Sequence, residues 1–150
     1  MKLAEALINR ADLQKRLDQL EERLNNNALV QEGEEPAEDP AALLAELETL
    51  SASLEDIVTR INLTNASATV YGKSLTALIA KRDVLTKRIR ITRRFLNTAS
   101  QTGMRSRGSE IVLKSTVPVR ELQTTLDELS KALRETDTAI QAANWSFDLL

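Results

Sequence analysis

Residues 81–94 read KRDVLTKRIRITRR, with seven cationic side chains, one acid and four apolar residues between them. Guanidinium and ammonium groups at this density suit one kind of chemistry, the binding of anions: nucleic-acid phosphates, lipid headgroups, or the carboxylates of another protein surface. The cluster extends beyond the segment. From Lys73 to Arg107 there are ten Lys and Arg against Asp83 alone, and from Gln31 to Thr59 there are nine acids and no cation. The candidate interaction surface on the basic run is Lys87, Arg90, Arg93, Arg94, Arg105 and Arg107. Two opposite runs of equal size favour an internal explanation, in which neighbouring helices carry complementary flanks. Exposed ion pairs contribute only about 0–1 kcal/mol each, but mispairing like charges is penalised. A phosphate-binding face is the rival reading. It calls for aromatic rings on which bases stack, and Phe95 is the sole aromatic of the segment. A basic membrane-surface helix is a third reading, against which the acidic neighbour counts.

Other chemistry is limited by what the chain lacks. It has no cysteine and no histidine, which excludes disulfides and thiolate metal sites and removes the commonest general base near neutral pH. The acidic stretch EGEEPAED lacks the D-x-D-x-D-G order that wraps a calcium ion, and reads as a solvated linker. Ser51, Ser53, Thr124 and Thr125 stand beside no base, and no phosphate loop, nucleophile elbow or H-E-x-x-H is present. No catalytic, cofactor-binding or metal-ligating residue is therefore assigned, and no cofactor or small-molecule substrate is inferred. The expectation is a non-enzymatic protein. Trp145, Phe147, Leu149 and Leu150 crowd the last six positions. So apolar a tail is expected to dock, with Trp145 as its anchor, or else to engage an outside partner or lipid; Trp145 and Phe147 join the candidate surface.

These residues must be positioned by helices. The chain has 150 residues, 3% aromatics and four glycines, a composition that favours packed helices over a sheet sandwich. Leucines stepping by four and three predict helices over about 2–28 (Leu13, Leu17, Leu20, Leu24), 40–65 (Leu43, Leu47, Leu50, Leu54, Ile57, Ile61), 74–100 (Leu75, Leu78, Leu85, Ile89, Leu96) and 118–144 (Leu122, Leu126, Leu129, Leu133, Ile140). Asp39–Pro40 and Ser74 are N-terminal caps. Residues 103–108, GMRSRG, form a flexible basic connector, and 110–117, EIVLKSTV, read as a strand whose partner is 69–71 or the same strand of a second copy. Each helix is about 38 Å long and needs a partner for its stripe. The expected fold is all-α, a single domain built as an antiparallel four-helix bundle or long coiled-coil hairpins, with a minor two-stranded β element, about 69–71 with 110–117. Val84, Ile91 and Phe95 form a second stripe on the third helix, which meets either another helix of the bundle or another subunit.

Several segments together resemble the septicolysin-like family of small bacterial proteins: MKLAEALINRADLQKRLDQLEERL, VQEGEEPAEDP, INLTN, LTALIAKRD, SEIVLKSTV and QAANW. The resemblance runs in order through nearly the whole chain. It implies a small bacterial helical protein and carries over no catalytic residues. The family's name implies a membrane-active cytolysin, for which the chain offers neither a secretory signal nor an alternating hairpin of bilayer length. No stretch approaches the roughly 20 apolar residues of a spanning helix, and the cytoplasm is the expected compartment. The expected function is that of a homo-oligomeric structural or interaction module whose partner is itself, with nucleic acid and membrane as the alternative partners.

Overall fold

The computed structural model describes residues 1–102 and 111–150. Among the described residues the chain is all-α. Four long helices, α1 (Leu3–Asn26), α2 (Pro40–Ser67), α3 (Leu75–Ala99) and α4 (Val119–Ser146), accompany a two-stranded antiparallel sheet of β1 (Thr69–Val70) and β2 (Lys73–Ser74). The chain divides into two compact units, Met1–Thr69 with Ala143–Leu150, and Val70–Ala142.

In the first unit, Asp39 caps α2 by accepting a hydrogen bond from the Ala41 N–H at 3.1 Å, and Pro40 occupies the first helical position. The leucine ridges of α1 and α2 then interlock. Leu20 is fully buried against Leu43 and Leu50, with Leu13, Leu17, Leu24 and Leu47 packed around them. The helices are antiparallel. Asn9 and Leu13 of α1 lie beside Ile57 and Arg60 of α2, and at the other end Arg23 reaches Glu46 at 3.5 Å.

The connection between them is pinned by polar groups. The Asn27 amide donates to the Arg23 carbonyl at 2.8 Å and accepts from the Glu38 N–H at 2.9 Å. Arg23 grips the Glu38 carboxylate with Nη2 at 2.7 Å and Nε at 3.1 Å. These hydrogen bonds hold the Glu38 carboxyl below the usual carboxylate range. The acidic linker is therefore fastened at its C-terminal end.

The chain's two end segments meet within this unit. The Leu3 N–H donates to the Phe147 carbonyl at 3.0 Å and the Leu149 N–H to the Met1 carbonyl at 2.9 Å, an antiparallel bridge centred on Lys2 and Asp148. The Lys2 ammonium adds a 2.9 Å ion pair to Asp148. Leu150 is held from both sides, its N–H donating to Thr64 Oγ1 at 3.0 Å and its oxygen accepting from Arg60 Nε at 2.7 Å. The tail does dock, but Trp145 is not its anchor. The last turn of α4 turns Ala143 and Asn144 inward and leaves Trp145 58% exposed, while Phe147 is half-buried. Main-chain hydrogen bonds, which an apolar composition does not reveal, secure the segment.

In the second unit, the Ser74 hydroxyl caps α3 by accepting from the Ala77 N–H at 3.2 Å. Leu85, Ile89 and Leu96 of α3 pack on Leu126 and Leu129 of α4, with Val119, Leu122 and Leu133 at the margin. Thr136, the polar interruption in the α4 seam, is buried and donates to its own helix at the Ala132 carbonyl, 2.8 Å away. The β element contains 69–70 as expected, but its second strand is Lys73–Ser74. Residues 111–117 form no strand, Val112 holding a single bridge position. Glu110 and the basic connector at 103–108 lie outside the described residues. The reason for the local pairing is the turn. Tyr71 and Gly72 both have positive φ, 51° and 76°, the pattern of a two-residue hairpin that lets adjacent strands pair. Pairing with 110–117 would instead close a long loop, at a larger entropic cost.

Two outcomes test this account. Leu20→Ala removes a fully buried ridge residue and should lower unfolding free energy by about 2–5 kcal/mol, read from urea titration. The Glu38 carboxyl is depressed in the folded state, so its stabilising effect is complete above the unfolded value of about 4.3 and is lost as pH falls through the lower folded value. Glu38→Gln should therefore melt below the parent at pH 7, and the gap should close on acidification. A gap that stays constant down to strongly acidic pH would show the pair to be inert.

Candidate functional site

Helix α3 presents three faces. At about 100° per residue, Leu78, Leu85, Ile89 and Leu96 share the buried face. Val84, Ile91 and Phe95 stand about 120° around the helix from it, 65%, 52% and 47% exposed. The second apolar stripe thus exists, and among the described residues of its unit Phe95 shares a small cleft with Leu113 and Thr116 while Val84 and Ile91 stand exposed. Lys87 and Arg94 border it on one side, Lys81 and Arg88 on the other, and all four are exposed. The result is a ridge of apolar side chains between two rows of cations.

Arg90 and Arg93 occupy the third face. They turn toward α4, where they line a shallow cleft of about 310 Å³ together with Thr86, Ile89, Ser130, Leu133 and Arg134. The expected site residues on α3 therefore divide into two sets on one helix, Lys87 with Arg94 and Arg90 with Arg93. Arg105 and Arg107 lie outside the described residues. Trp145 and Phe147 belong to the first unit. Arg134 escapes sequence reading because it lies far along the chain from the basic run; its one signal is its place beside the seam residue Leu133 on a helix flank.

Among the described residues, the only α3 cation in an ion pair is Arg82, joined to its neighbour Asp83 at 3.0 Å. The upstream acids that pair do so elsewhere: Glu38 and Glu46 with Arg23, and Asp56 with Arg60. The ion pairs of the acidic run are thus made within the first unit, and that of α3 within the second. Each acid that finds a guanidinium finds it one helical turn away or on α1, and the long α3 side chains remain in water, where an ion pair gains little over hydration.

The first unit holds a larger cleft of about 620 Å³ between α1 and α2, lined by Asn9, Asp12, Arg16, Ser53, Asp56 and Arg60 among others. Its charges are balanced from within, two carboxylates against two guanidiniums. Arg60 is already committed to Asp56 at 3.6 Å and to the Leu150 oxygen. Among the described residues, cations without an ion pair are densest on α3, and the candidate site is placed there. No helix of the described residues is long and apolar enough to cross a membrane.

Comparison with known proteins agrees with this fold. A family described as "Family of unknown function (DUF6847)" matches residues 10–149. A solved structure, described as that of a functionally unknown conserved protein from Corynebacterium diphtheriae, is 36% identical, covers 100% of this chain and 99% of its own, and superimposes with a TM-score of 0.90. No curated protein matches the chain.

If the α3 cations are held by no internal partner, the double reversal Lys87→Glu with Arg94→Glu should leave helicity intact and change unfolding free energy by no more than about 0.5 kcal/mol for each site. Circular dichroism melts measure this directly.

Proposed function

The chain belongs to the DUF6847 family, and we propose that it acts by association instead of catalysis, as a homo-oligomeric helical interaction protein of the cytoplasm. The observation that carries this reading is the exposed Val84–Ile91–Phe95 ridge between unpaired cations. Apolar side chains standing together at a helix surface remain in contact with water unless another surface covers them. The cations on either side call for a covering surface that is acidic.

A second copy of the chain offers such a surface. On α2, Leu44, Ala45, Glu48, Ala52 and Glu55 are exposed, and neither Glu48 nor Glu55 has an ion pair among the described residues. Glu48 and Glu55 are seven residues apart, as are Lys87 and Arg94, so each pair spans about 10.5 Å along its helix. With α2 of one copy laid parallel to α3 of another, Lys87 meets Glu48 and Arg94 meets Glu55. In the same register Val84 falls on Ala45 and Ile91 on Ala52, large side chains against small ones, as coiled-coil-like packing requires. The apolar contacts supply attraction, and the charges set partner and register.

Native mass measurement at micromolar concentration should return a dimer or larger assembly. Lys87→Glu with Arg94→Glu should shift it to single chains, as should Glu48→Lys with Glu55→Lys. Combining all four substitutions should restore assembly. A parent protein that runs as single chains would overturn the proposal. The alternatives have readouts of their own. Leakage from anionic vesicles would favour the cytolysin-like activity that the septicolysin resemblance implies, and salt-sensitive retention of mixed RNA or DNA would favour a nucleic-acid role.

A further inference from the structure

The cleft between α3 and α4 carries an inference independent of self-association. Three guanidiniums, Arg90, Arg93 and Arg134, line one opening of about 310 Å³. None has an ion pair among the described residues, and no carboxylate lines the opening. The acids on the same flank of α4 are Asp127 and Asp137. Asp127 accepts a hydrogen bond from Gln123 at 2.9 Å, and neither acid pairs with these arginines. Thr86 and Ser130 add a hydroxyl from each helix. Both hydroxyls donate to their own helix, Thr86 to the Arg82 carbonyl at 2.9 Å and Ser130 to the Leu126 carbonyl at 2.8 Å. Their oxygens are thereby fixed in place, and the three arginines supply the remaining side-chain donors of the lining.

We propose that this cleft is an oxyanion site that takes a phosphate group. Like charges gathered around one concavity repel one another, and a bound dianion reverses the sign of that interaction. Arginine is suited to the task, because its planar fork donates two parallel hydrogen bonds to a phosphate where lysine supplies a point charge. Three such forks from two helices surround an anion on more than one side, which a single row of cations along a helix does not. The buried Ile89 side chain forms an apolar wall of the cleft. A dry wall strengthens charge-assisted hydrogen bonds made beside it. The volume is at the small end of ligand sites, which run from about 300 Å³, and suits a phosphate with a small substituent. The same chemistry arises in a free phosphate ester and in a nucleic-acid backbone.

Thermal melts of the full chain in inorganic phosphate and pyrophosphate, each matched with chloride at equal ionic strength, test the proposal. Phosphate and pyrophosphate should raise the melting temperature above the chloride control, since a ligand bound only to the folded state stabilises it by mass action. Arg93→Ala with Arg134→Ala should abolish the shift, and single substitutions should weaken affinity about tenfold or more. Arg134→Lys should lose less than Arg134→Ala. Lys81→Ala with Arg88→Ala, on the opposite flank of α3, should keep the shift. These side chains are exposed, and a circular dichroism spectrum shows that each variant still folds. A second arm titrates a single-stranded oligonucleotide. Tighter binding of the oligonucleotide that is lost in the Arg93/Arg134 variant identifies a backbone phosphate as the source, whereas a response to pyrophosphate alone identifies a free phosphate compound. Equal stabilisation by chloride, or a shift that survives loss of both arginines, would overturn the assignment.

Discussion

Every feature of this protein is subordinate to one constraint: an amphipathic helix must cover its aliphatic stripe. With almost no aromatic residues and no cysteine, the chain has nothing else with which to build a core. Leu20, Leu43 and Leu50 form one such seam and Leu85, Ile89, Leu96, Leu126 and Leu129 another. Burying apolar surface yields about 25 cal/mol per Å², and ridges of this length make the helix pairs the stable unit. The same constraint directs where chemistry can sit. Residues on the seams are occupied with packing, so polar groups are confined to flanks, outward faces and the shallow clefts where two helices diverge.

A small number of polar contacts completes the first unit. Arg23, Asn27 and Glu38 close the α1–α2 connection with side chains that satisfy one another and the local backbone. Thr64 is the corresponding element at the other end. Although buried, it accepts from the Leu150 N–H while donating to the Arg60 carbonyl at 2.8 Å. Among the described residues no buried side-chain polar atom is left without a hydrogen-bond partner. The expense of hiding polar groups is thus met locally, and it draws on no arginine of α3 beyond Arg82, which pairs with Asp83.

Those arginines are informative because of what does not surround them. A surface cation beside a carboxylate is ordinary; the α3 cations other than Arg82 have no ion pair among the described residues, and under the proposed function an anion from outside answers them. As proposed, the two sets on α3 take different ones. Lys87 and Arg94 flank a ridge that is apolar, which suits a second protein surface. Arg90 and Arg93 share a concavity with Arg134, which suits a compact oxyanion. The similar protein from Corynebacterium diphtheriae, alike along the whole chain, provides a second scaffold in which the same two faces can be compared.

The helices were legible in the sequence because their signals are local. The four-three leucine step defines each seam, and Asp39, Pro40 and Ser74 mark starts that the structure places within a residue or two. The second stripe of Val84, Ile91 and Phe95 also follows from periodicity alone, since angles around one helix need no partner, but whether it is covered or exposed does not. What the sequence could not determine was every feature that depends on how one element faces another. The strand paired across Tyr71–Gly72 and not with a distant segment, because a short loop closes at less entropic cost. The tail docked through main-chain groups, which carry no sequence signature, and Trp145 was left outside. Arg134 joined Arg90 and Arg93 only through the rotation and register with which α4 packs on α3. Composition and period describe one helix at a time, whereas a cleft belongs to two, and its residues become neighbours only when packing brings distant parts of the chain together.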